Sequence, residues 1–481
     1  MSLRRVGLTL VICLFAGGCN APAQADPWAV AAARQPLTAS DSSPALHDTE
    51  TNALVAHAGK LFAATDQWEY KGSPATGQVL VKRSKDSPWT VFENTESLRV
   101  QALKSFAVPA DQGLGSGHSL LITQAVIKGR SEIQWLLDGA EAFTPDNSYA
   151  LPSHRADVRA FGARESDGVW AVYAGVRPDG IVRGTWSPQR HTLVFAPTPE
   201  LTVVPPEQRE PTAGKVTGFA DCGGALYASI NTKLFRRNEG NLPPGVARWV
   251  QVYQGAPVGP RNSGLRGLTC ITHDSTPSLL LSTEGTGNVY RFDHLPTGLL
   301  DSSVTLEPTL EFSPTTAIRP LLDKQGTRVP ADGPGSIGYL IAAYNDGGFQ
   351  SVDIGGVTQQ LFGFEWSYRR SCPATRSCEQ PPSSDRGHFD AAACFAIRTD
   401  SGGTAVFDLR CLAGPDLTPA ASPTSPVRSG QAFVSIRTIQ LSPFGDGLIY
   451  YGGYDCNFSP ADGTAWVATS TVDALHIAKS P

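Results

Sequence analysis

From Asn52 onward the apolar residues fall into short runs of roughly four to eight, rich in Val, Leu and aromatic side chains and bounded by Gly, Pro, Asn or Asp. Such runs read as β-strands joined by tight turns. They come in groups. The first is ALVAHAG, KLFAATDQW, QVLVKRSKD and WTVFEN; the second is LRVQALKSFAV, SLLITQAVI and EIQWLLDG; the third is DVRAFGA, GVWAVYAGV, IVRGTWS and TLVFAP. KVTGFAD, ALYASIN, KLFRRNE and RWVQVYQG make a fourth, and LRGLTCI, SLLLSTE, NVYRFD and TLEPTLEF a fifth. After TTAIRPLLDKQG, which reads as a helical turn or two, GYLIAAYND, FQSVDI, LFGFEW, ACFAIR and AVFDLRCL form a less regular group, interrupted by the polar stretch RRSCPATRSCEQPPSSDRG. The last group covers residues 433–469, with strands around Arg437, from Leu448 to Gly452 and around Trp466, and a turn cluster from Pro443 to Gly447.

Repeated sets of about four short strands predict an all-β chain, a β-propeller of about seven four-stranded blades; six or eight would also fit so degenerate a repeat. A ring must cover its free sheet edge, and pairing a strand from one terminus with strands from the other does so. The stretch from Trp28 to Leu37 is the expected closing strand, with a short helix as the alternative. The turn Ser84-Lys85-Asp86-Ser87-Pro88-Trp89 resembles the Asp-box of sialidase-like propellers. That resemblance implies a hairpin locked by Asp86 and Trp89, a structural device and not an activity.

The chain before these groups has a different character. Arg4 and Arg5, an apolar run from Val6 to Phe15 and small residues up to Cys19 have the layout of a secretory signal, too short for the roughly 20 residues that span a bilayer. Its end, Ala16-Gly17-Gly18-Cys19, resembles the lipobox of bacterial lipoproteins. The resemblance implies lipidation of Cys19, which becomes the mature N-terminus; cleavage after Ala23 or Ala25 is the alternative. The expected organisation is a signal peptide over 1–18, a tether over 19–50 that can include the ring-closing strand, and a propeller over 51–481. The implied location is the cell envelope, anchored by lipid to a bacterial membrane.

Export changes how the nine cysteines are read, because an oxidising compartment favours disulfides. With Cys13 in the signal and Cys19 at the anchor, the expected pairs are Cys222 with Cys270, Cys372 with Cys378 and Cys394 with Cys411, leaving Cys456 over. A zinc site from Cys372, Cys378, Cys394 and Cys411 is the competing reading, but the gap between the first two is longer than the usual knuckle. No metal or cofactor is therefore expected. Formal charge is −5, or −7 once Arg4 and Arg5 leave with the signal, which argues against a nucleic-acid binder. Low charge content, 17%, with 48 Gly and 37 Pro fits a turn-rich β chain, expected to be a monomer.

Aligning the first strand of each group brings out Leu98-Arg99-Val100, Val158-Arg159-Ala160, Leu265-Arg266-Gly267 and Ile436-Arg437-Thr438, with Thr217 at the matching place in the fourth. First strands line the central channel, so Arg99, Arg159, Arg266 and Arg437 are expected near one mouth. Unpaired guanidinium groups repel, so they need carboxylates or an anionic ligand. The structural reading pairs each with an acid of a neighbouring blade, such as Asp157, Glu165, Asp221, Glu284 or Asp346, and so staples the ring; the functional reading makes the mouth an anion site. A sialidase-like centre would further need a tyrosine such as Tyr450, Tyr451 or Tyr454 beside Glu165 or Glu365. Asp385, His388 and Asp390, and His273 with Asp274, carry ligand-type side chains, but they sit by turns, where such residues satisfy the backbone. No nucleophile elbow, metalloprotease helix, phosphate-binding Gly loop or calcium loop occurs. The expected function is an envelope binding or scaffold module for an anionic glycan or peptide, or for an envelope protein; the alternative is a secreted carbohydrate-active hydrolase or lyase.

Overall fold

In the strand Lys60–Asp66, Leu61 and Ala63 join one apolar cluster, Phe62 and Ala64 join another, and all four are buried. Successive side chains of a strand point to opposite faces, so this sheet is covered on both sides. A ring of sheets is the arrangement in which every sheet is so covered without a new core for each. The computed structural model describes residues 29–31, 33–35, 50–66, 77–97, 99–152, 156–166, 168–203, 214–256, 264–300, 304–324, 337–344, 348–368, 393–413, 435–454 and 465–475. They form an all-β, seven-bladed propeller of mostly four-stranded antiparallel sheets.

Blade 1 is Glu50–His57, Lys60–Asp66, Gln78–Lys82 and Trp89–Asn94; blade 2 is Leu103–Ala107, Ser119–Ile127, Arg130–Leu137 and Ser148–Ala150. Blade 3 is Asp157–Ser166, Val169–Arg177, Gly180–Ser187 and Thr192–Phe195; blade 4 is Val216–Cys222, Ala225–Ile230, Lys233–Arg237 and Trp249–Gln254. Blade 5 is Leu265–His273, Thr276–Thr283, Val289–Phe292 and Thr309–Phe312, followed by a helix, Pro314–Lys324. In blade 6 the innermost strand is split into Ile337–Ala342 and Gln350–Ile354, both paired with Val357–Tyr368, and Cys394–Ser401 and Thr404–Ala413 follow. Blade 7 has Ser435–Leu441, Leu448–Tyr454 and Trp466–Thr471. Its fourth strand is Ala33–Gln35, antiparallel to Trp466–Thr471, while Ala29–Ala31 adds in parallel to the outer strand of blade 6. The N-terminal segment thus straddles the seam between blades 6 and 7 and closes the ring.

Buried apolar residues among those described form one cluster at each seam between neighbouring blades. Polar side chains of the first two strands of a blade then bond across the seam. Asn52 Nδ2 donates to Val100 O (3.4 Å), Thr217 Oγ1 to Leu265 O (2.5 Å), and Gln124 Oε1 accepts from Val158 N (3.1 Å). In blades 1, 3, 4 and 7 the innermost strand carries a one-residue irregularity at Asn52, Arg159, Thr217 and Arg437. A bulge re-aims the extra side chain, and here it does so at the same level of each blade.

Three readings of the sequence change. The stretch from Leu98 to Val108 is not one strand: blade 2 begins at Leu103, and Arg99 instead forms an isolated bridge with Asp66 of blade 1. Asn52 and Thr217 are equivalent, so their acceptors Val100 and Leu265 are too, and Gln101 rather than Arg99 is the counterpart of Arg266. The fourth strand of blade 2, Ser148–Ala150, has three residues and no apolar run to announce it. In the Asp-box-like turn Trp89 is buried as the resemblance implies, but Asp86 is exposed and the turn is held by Ser84 and Ser87, whose hydroxyls bond the turn's own backbone. No helix among the described residues is long and apolar enough to cross a membrane.

Two expected disulfides are present. Cys222–Cys270 joins the inner strands of blades 4 and 5, and Cys394–Cys411 links directly paired residues of blade 6. The second leaves neither sulfur as a thiolate, which removes the four-cysteine zinc reading. Cys19, Cys372, Cys378 and Cys456 lie outside the described residues. By loop-closure entropy, opening the 48-residue span of Cys222–Cys270 should cost about 4 kcal/mol and the 17-residue span of Cys394–Cys411 about 3. Urea unfolding of the Cys222→Ser/Cys270→Ser and Cys394→Ser/Cys411→Ser double variants should show that order.

Candidate functional site

The starts of the inner strands share one rim of the channel. Arg159, Arg266 and Arg437 stand there, with Glu50 opening the inner strand of blade 1, Glu284 just past the second strand of blade 5 and Glu365 opposite Ile341 in blade 6. At the same rim, blade 6 leaves its sheet between Ala342 and Gln350 and brings in Tyr344. The guanidinium carbons of Arg437 and Arg266 lie 3.6 Å and 5.0 Å from the centre of the Tyr344 ring, a cation–π arrangement that joins blades 5, 6 and 7.

The arginines divide into two kinds. Arg437, buried, is ion-paired through Nε with Glu50 Oε1 (2.9 Å) and through Nη1 with Glu365 Oε2 (2.6 Å), tying blade 7 to both neighbours. Arg266, also buried, gives Nε (2.9 Å) and Nη2 (2.6 Å) to Glu284 Oε2. Arg437 is thus the inter-blade staple of the structural reading, while Arg266 is neutralised within its own blade. Arg159 is different. Its Nε reaches Asp157 Oδ2 at 3.3 Å, but the other oxygen of Asp157 is already taken by Arg177 Nε at 2.9 Å. The two terminal nitrogens of Arg159 have no hydrogen-bond partner among the described residues, and the side chain is 14% exposed.

Electrostatics follow this division. Burial lowers the pKa of Arg159, as do Arg266 and Arg177, against Asp157 and Tyr344. Lys215, just ahead of the inner strand of blade 4, is brought down to about 8 by burial and then by Arg159 and Arg266, with Glu284 opposing. It therefore still carries most of its charge at neutral pH. Burial pushes Glu365 up to about 7, helped by Glu50 and Glu284 and opposed by Arg437 and Arg266. Glu365 stands by Arg437, whereas on the side of blade 3 two guanidinium groups, those of Arg159 and Arg177, share the one carboxylate of Asp157. A shared carboxylate and the open terminal nitrogens of Arg159 are what binding a carboxylate, sulfate or phosphate requires.

Of the four arginines expected at the mouth, three meet around Tyr344; Arg99 lies beside blade 1 and is not among the Tyr344 contacts. Tyr450 and Tyr451 are core residues, with the Tyr451 hydroxyl on Ser470 Oγ at 3.0 Å. A Cβ at Gly453 would stand 2.1 Å from Trp466, so that glycine serves packing rather than ligand approach. Glu165 is exposed at the far end of the blade 3 inner strand, and Glu365 is ion-paired and buried, so the tyrosine–glutamate pair that a sialidase-like centre would need does not form at Tyr450 or Tyr451. Asp346, Asp385, His388 and Asp390 lie outside the described residues. Tyr344, Glu50, Arg177 and Lys215 went unseen in the sequence; the signal for Tyr344 was the turn run Asn345-Asp346-Gly347-Gly348, which ends a strand rather than continuing it.

No family model matches this chain, and no curated protein matches it either. Among solved structures it is similar to Raptor of Chaetomium thermophilum, at 12% identity and TM-score 0.42 over 92% of this chain and 29% of that one. It is similar to a GH74 enzyme of Niastella koreensis at 11% and 0.37, over 87% and 54% of the two chains. SapL1 lectin, in complex with alpha methyl fucoside, gives 11% and 0.31 over 67% and 94%. The fold assignment rests on the sheets themselves.

The Glu365 pKa can be tested through stability. Raised from 4.5 to about 7, it makes the folded state favour the protonated acid, so its contribution is full below about pH 4.5 and is lost as pH rises through 7. His57, lowered by burial to about 4, acts oppositely between about pH 4 and 6.5, so the comparison must be differential. The stability of Glu365→Gln relative to the parent should rise from pH 5 to pH 8 by on the order of 3 kcal/mol at most, read as a relative rise in melting temperature. A pH-independent difference would show that Glu365 is ionised throughout.

Proposed function

We propose that this chain is an exported, lipid-anchored β-propeller that works as a binding module at the cell envelope and takes an anionic group of a glycan or peptide at the channel mouth beside Arg159. The observation that carries this reading is the division among the arginines: Arg266 and Arg437 have carboxylates of their own, whereas Arg159 shares Asp157 with Arg177 and holds its terminal nitrogens open. A structural staple has no use for open nitrogens. An anion would restore the balance, and the arginine fork can hold it through two parallel bonds. The hydrolase reading finds less support, since Glu365, the mouth carboxyl best poised to donate a proton near pH 7, is spent on Arg437 and closed to substrate.

Screening the purified protein against carboxylated and sulfated glycans and acidic peptides should give ligands whose binding weakens as salt is raised. Arg159→Ala/Lys215→Ala should lose at least roughly tenfold in affinity while its melting temperature stays near that of the parent. Unchanged binding with a large fall in melting temperature would return Arg159 to the staples and end this reading.

A further inference from the structure

At the rim opposite the arginine mouth, the inner strand of blade 5 ends at His273 and turns through Asp274, while the third strand of blade 6 ends at Asp400 and Ser401. The two hairpins meet across the seam. His273 Nδ1 contacts Asp400 Oδ2, His273 Nε2 lies 3.6 Å from Asp274 Oδ2, and one ligand-type atom from each residue falls within 4.8 Å of the others. We propose that His273, Asp274 and Asp400 form a site for a divalent transition-metal cation, Zn2+ by the chemistry of its donors, that clamps blade 5 to blade 6 on the face away from the mouth.

Three independent features support it. The first is an orphan: Asp400 Oδ1 is buried and has no hydrogen-bond partner among the described residues, a costly state for a carboxylate oxygen unless a cation completes it. The second is charge. Arg398, the nearest arginine among the described residues, stands 3.9 Å from Asp400 Oδ2 but is held by Glu311, which also takes Arg291, which in turn is held by Asp293. Those two arginines and two acids cancel, so two uncompensated carboxylates face the imidazole, the charge a dication neutralises. The third is room. A Cβ at position 403 would stand 2.9 Å from Asp274 Oδ2, and the glycine there lets the carboxylate of blade 5 enter beside the hairpin of blade 6.

The donor set selects the metal. An imidazole with two carboxylates suits Zn2+, whereas Ca2+ takes six to eight oxygens and Mg2+ prefers oxygen with water. Ligands at about 2.0–2.2 Å in a tetrahedron stand roughly 3.3–3.6 Å apart, the spacing already present between His273 Nε2 and Asp274 Oδ2. Asp400 Oδ2 faces the other ring nitrogen, Nδ1, so binding requires the Asp400 carboxylate to turn its orphan oxygen toward a metal at Nε2, and the exposed side at Asp274 leaves a fourth position for water.

The test uses the full chain, stripped with chelator and titrated calorimetrically with ZnCl2, with CaCl2 and MgCl2 in parallel. About one equivalent of Zn2+ per chain, with a rise in melting temperature, is the expected result. Asp274→Asn lies at an exposed turn and should fold normally, yet bind Zn2+ at least roughly tenfold more weakly; Asp400→Asn should lose binding altogether. No saturable Zn2+ binding, binding unchanged in Asp274→Asn, or preference for Ca2+ would overturn the assignment. A parent whose melting temperature depends on Asp400 but not on Zn2+ would make the cluster a hydrogen-bonded staple only.

Discussion

Every sheet in this ring has two faces and must find an apolar partner for both. A sandwich leaves its outer faces to water, but here the strands Lys60–Asp66 and Ala225–Ile230 are buried on both sides, and so each blade is half of two cores. Removing any blade would expose two faces rather than one. This constraint explains why the ring is closed from outside by Ala33–Gln35, which completes the sheet that would otherwise end at Trp466–Thr471. It also explains why polar fastening concentrates at the two ends of the seams, where apolar cover runs out.

The fastenings follow a common logic. Arg164 of blade 3 pairs with Asp221 of blade 4, Arg237 of blade 4 with Glu200 beyond blade 3, Arg398 of blade 6 with Glu311 of blade 5, and Arg437 of blade 7 with Glu50 and Glu365 on either side. A buried ion pair gains little net stability against apolar packing, but breaking one leaves a stranded charge at a cost of several kcal/mol. Such pairs therefore fix which blade face meets which more than they strengthen the ring. Against that background a cation sharing its only carboxylate stands apart, and Arg159 is in that position.

Much of the ring was legible in the sequence because it depends on strand runs and turn residues, which are local. The runs around Trp170, Tyr227 and Leu280 sit in the strands they suggest, the helix after Phe312 is where its pattern places it, and Cys222 and Cys270 meet because both lie on inner strands of adjacent blades. What failed was register. A single extra residue, as at Arg437 or Thr217, shifts the alignment of everything before it, and the aligned Arg99 fell two positions short of its true equivalent, Gln101. Tyr344 was missed for a related reason: the inner strand of blade 6 is broken by an insertion that reads, residue by residue, as the end of an ordinary strand. Partners such as Glu50 and Arg437 lie almost the whole chain apart, and only ring closure brings them together.

Ring closure also bears on how the mouth could signal. Tyr344 touches arginines of blades 5 and 7 from a segment of blade 6, so the mouth reports the relative placement of three blades. The His273 cluster sits at the other end of one of those same seams, between blades 5 and 6. Phe312, Phe362 and Phe364 pack closely in that seam, so a cation bound at one end would constrain the spacing at the other. The two ends are then coupled only to the extent that occupancy of one alters the geometry of the other, and that coupling must be equal in both directions. A mouth ligand that leaves Tyr344 and Arg266 in place would carry no such coupling, however tightly it bound.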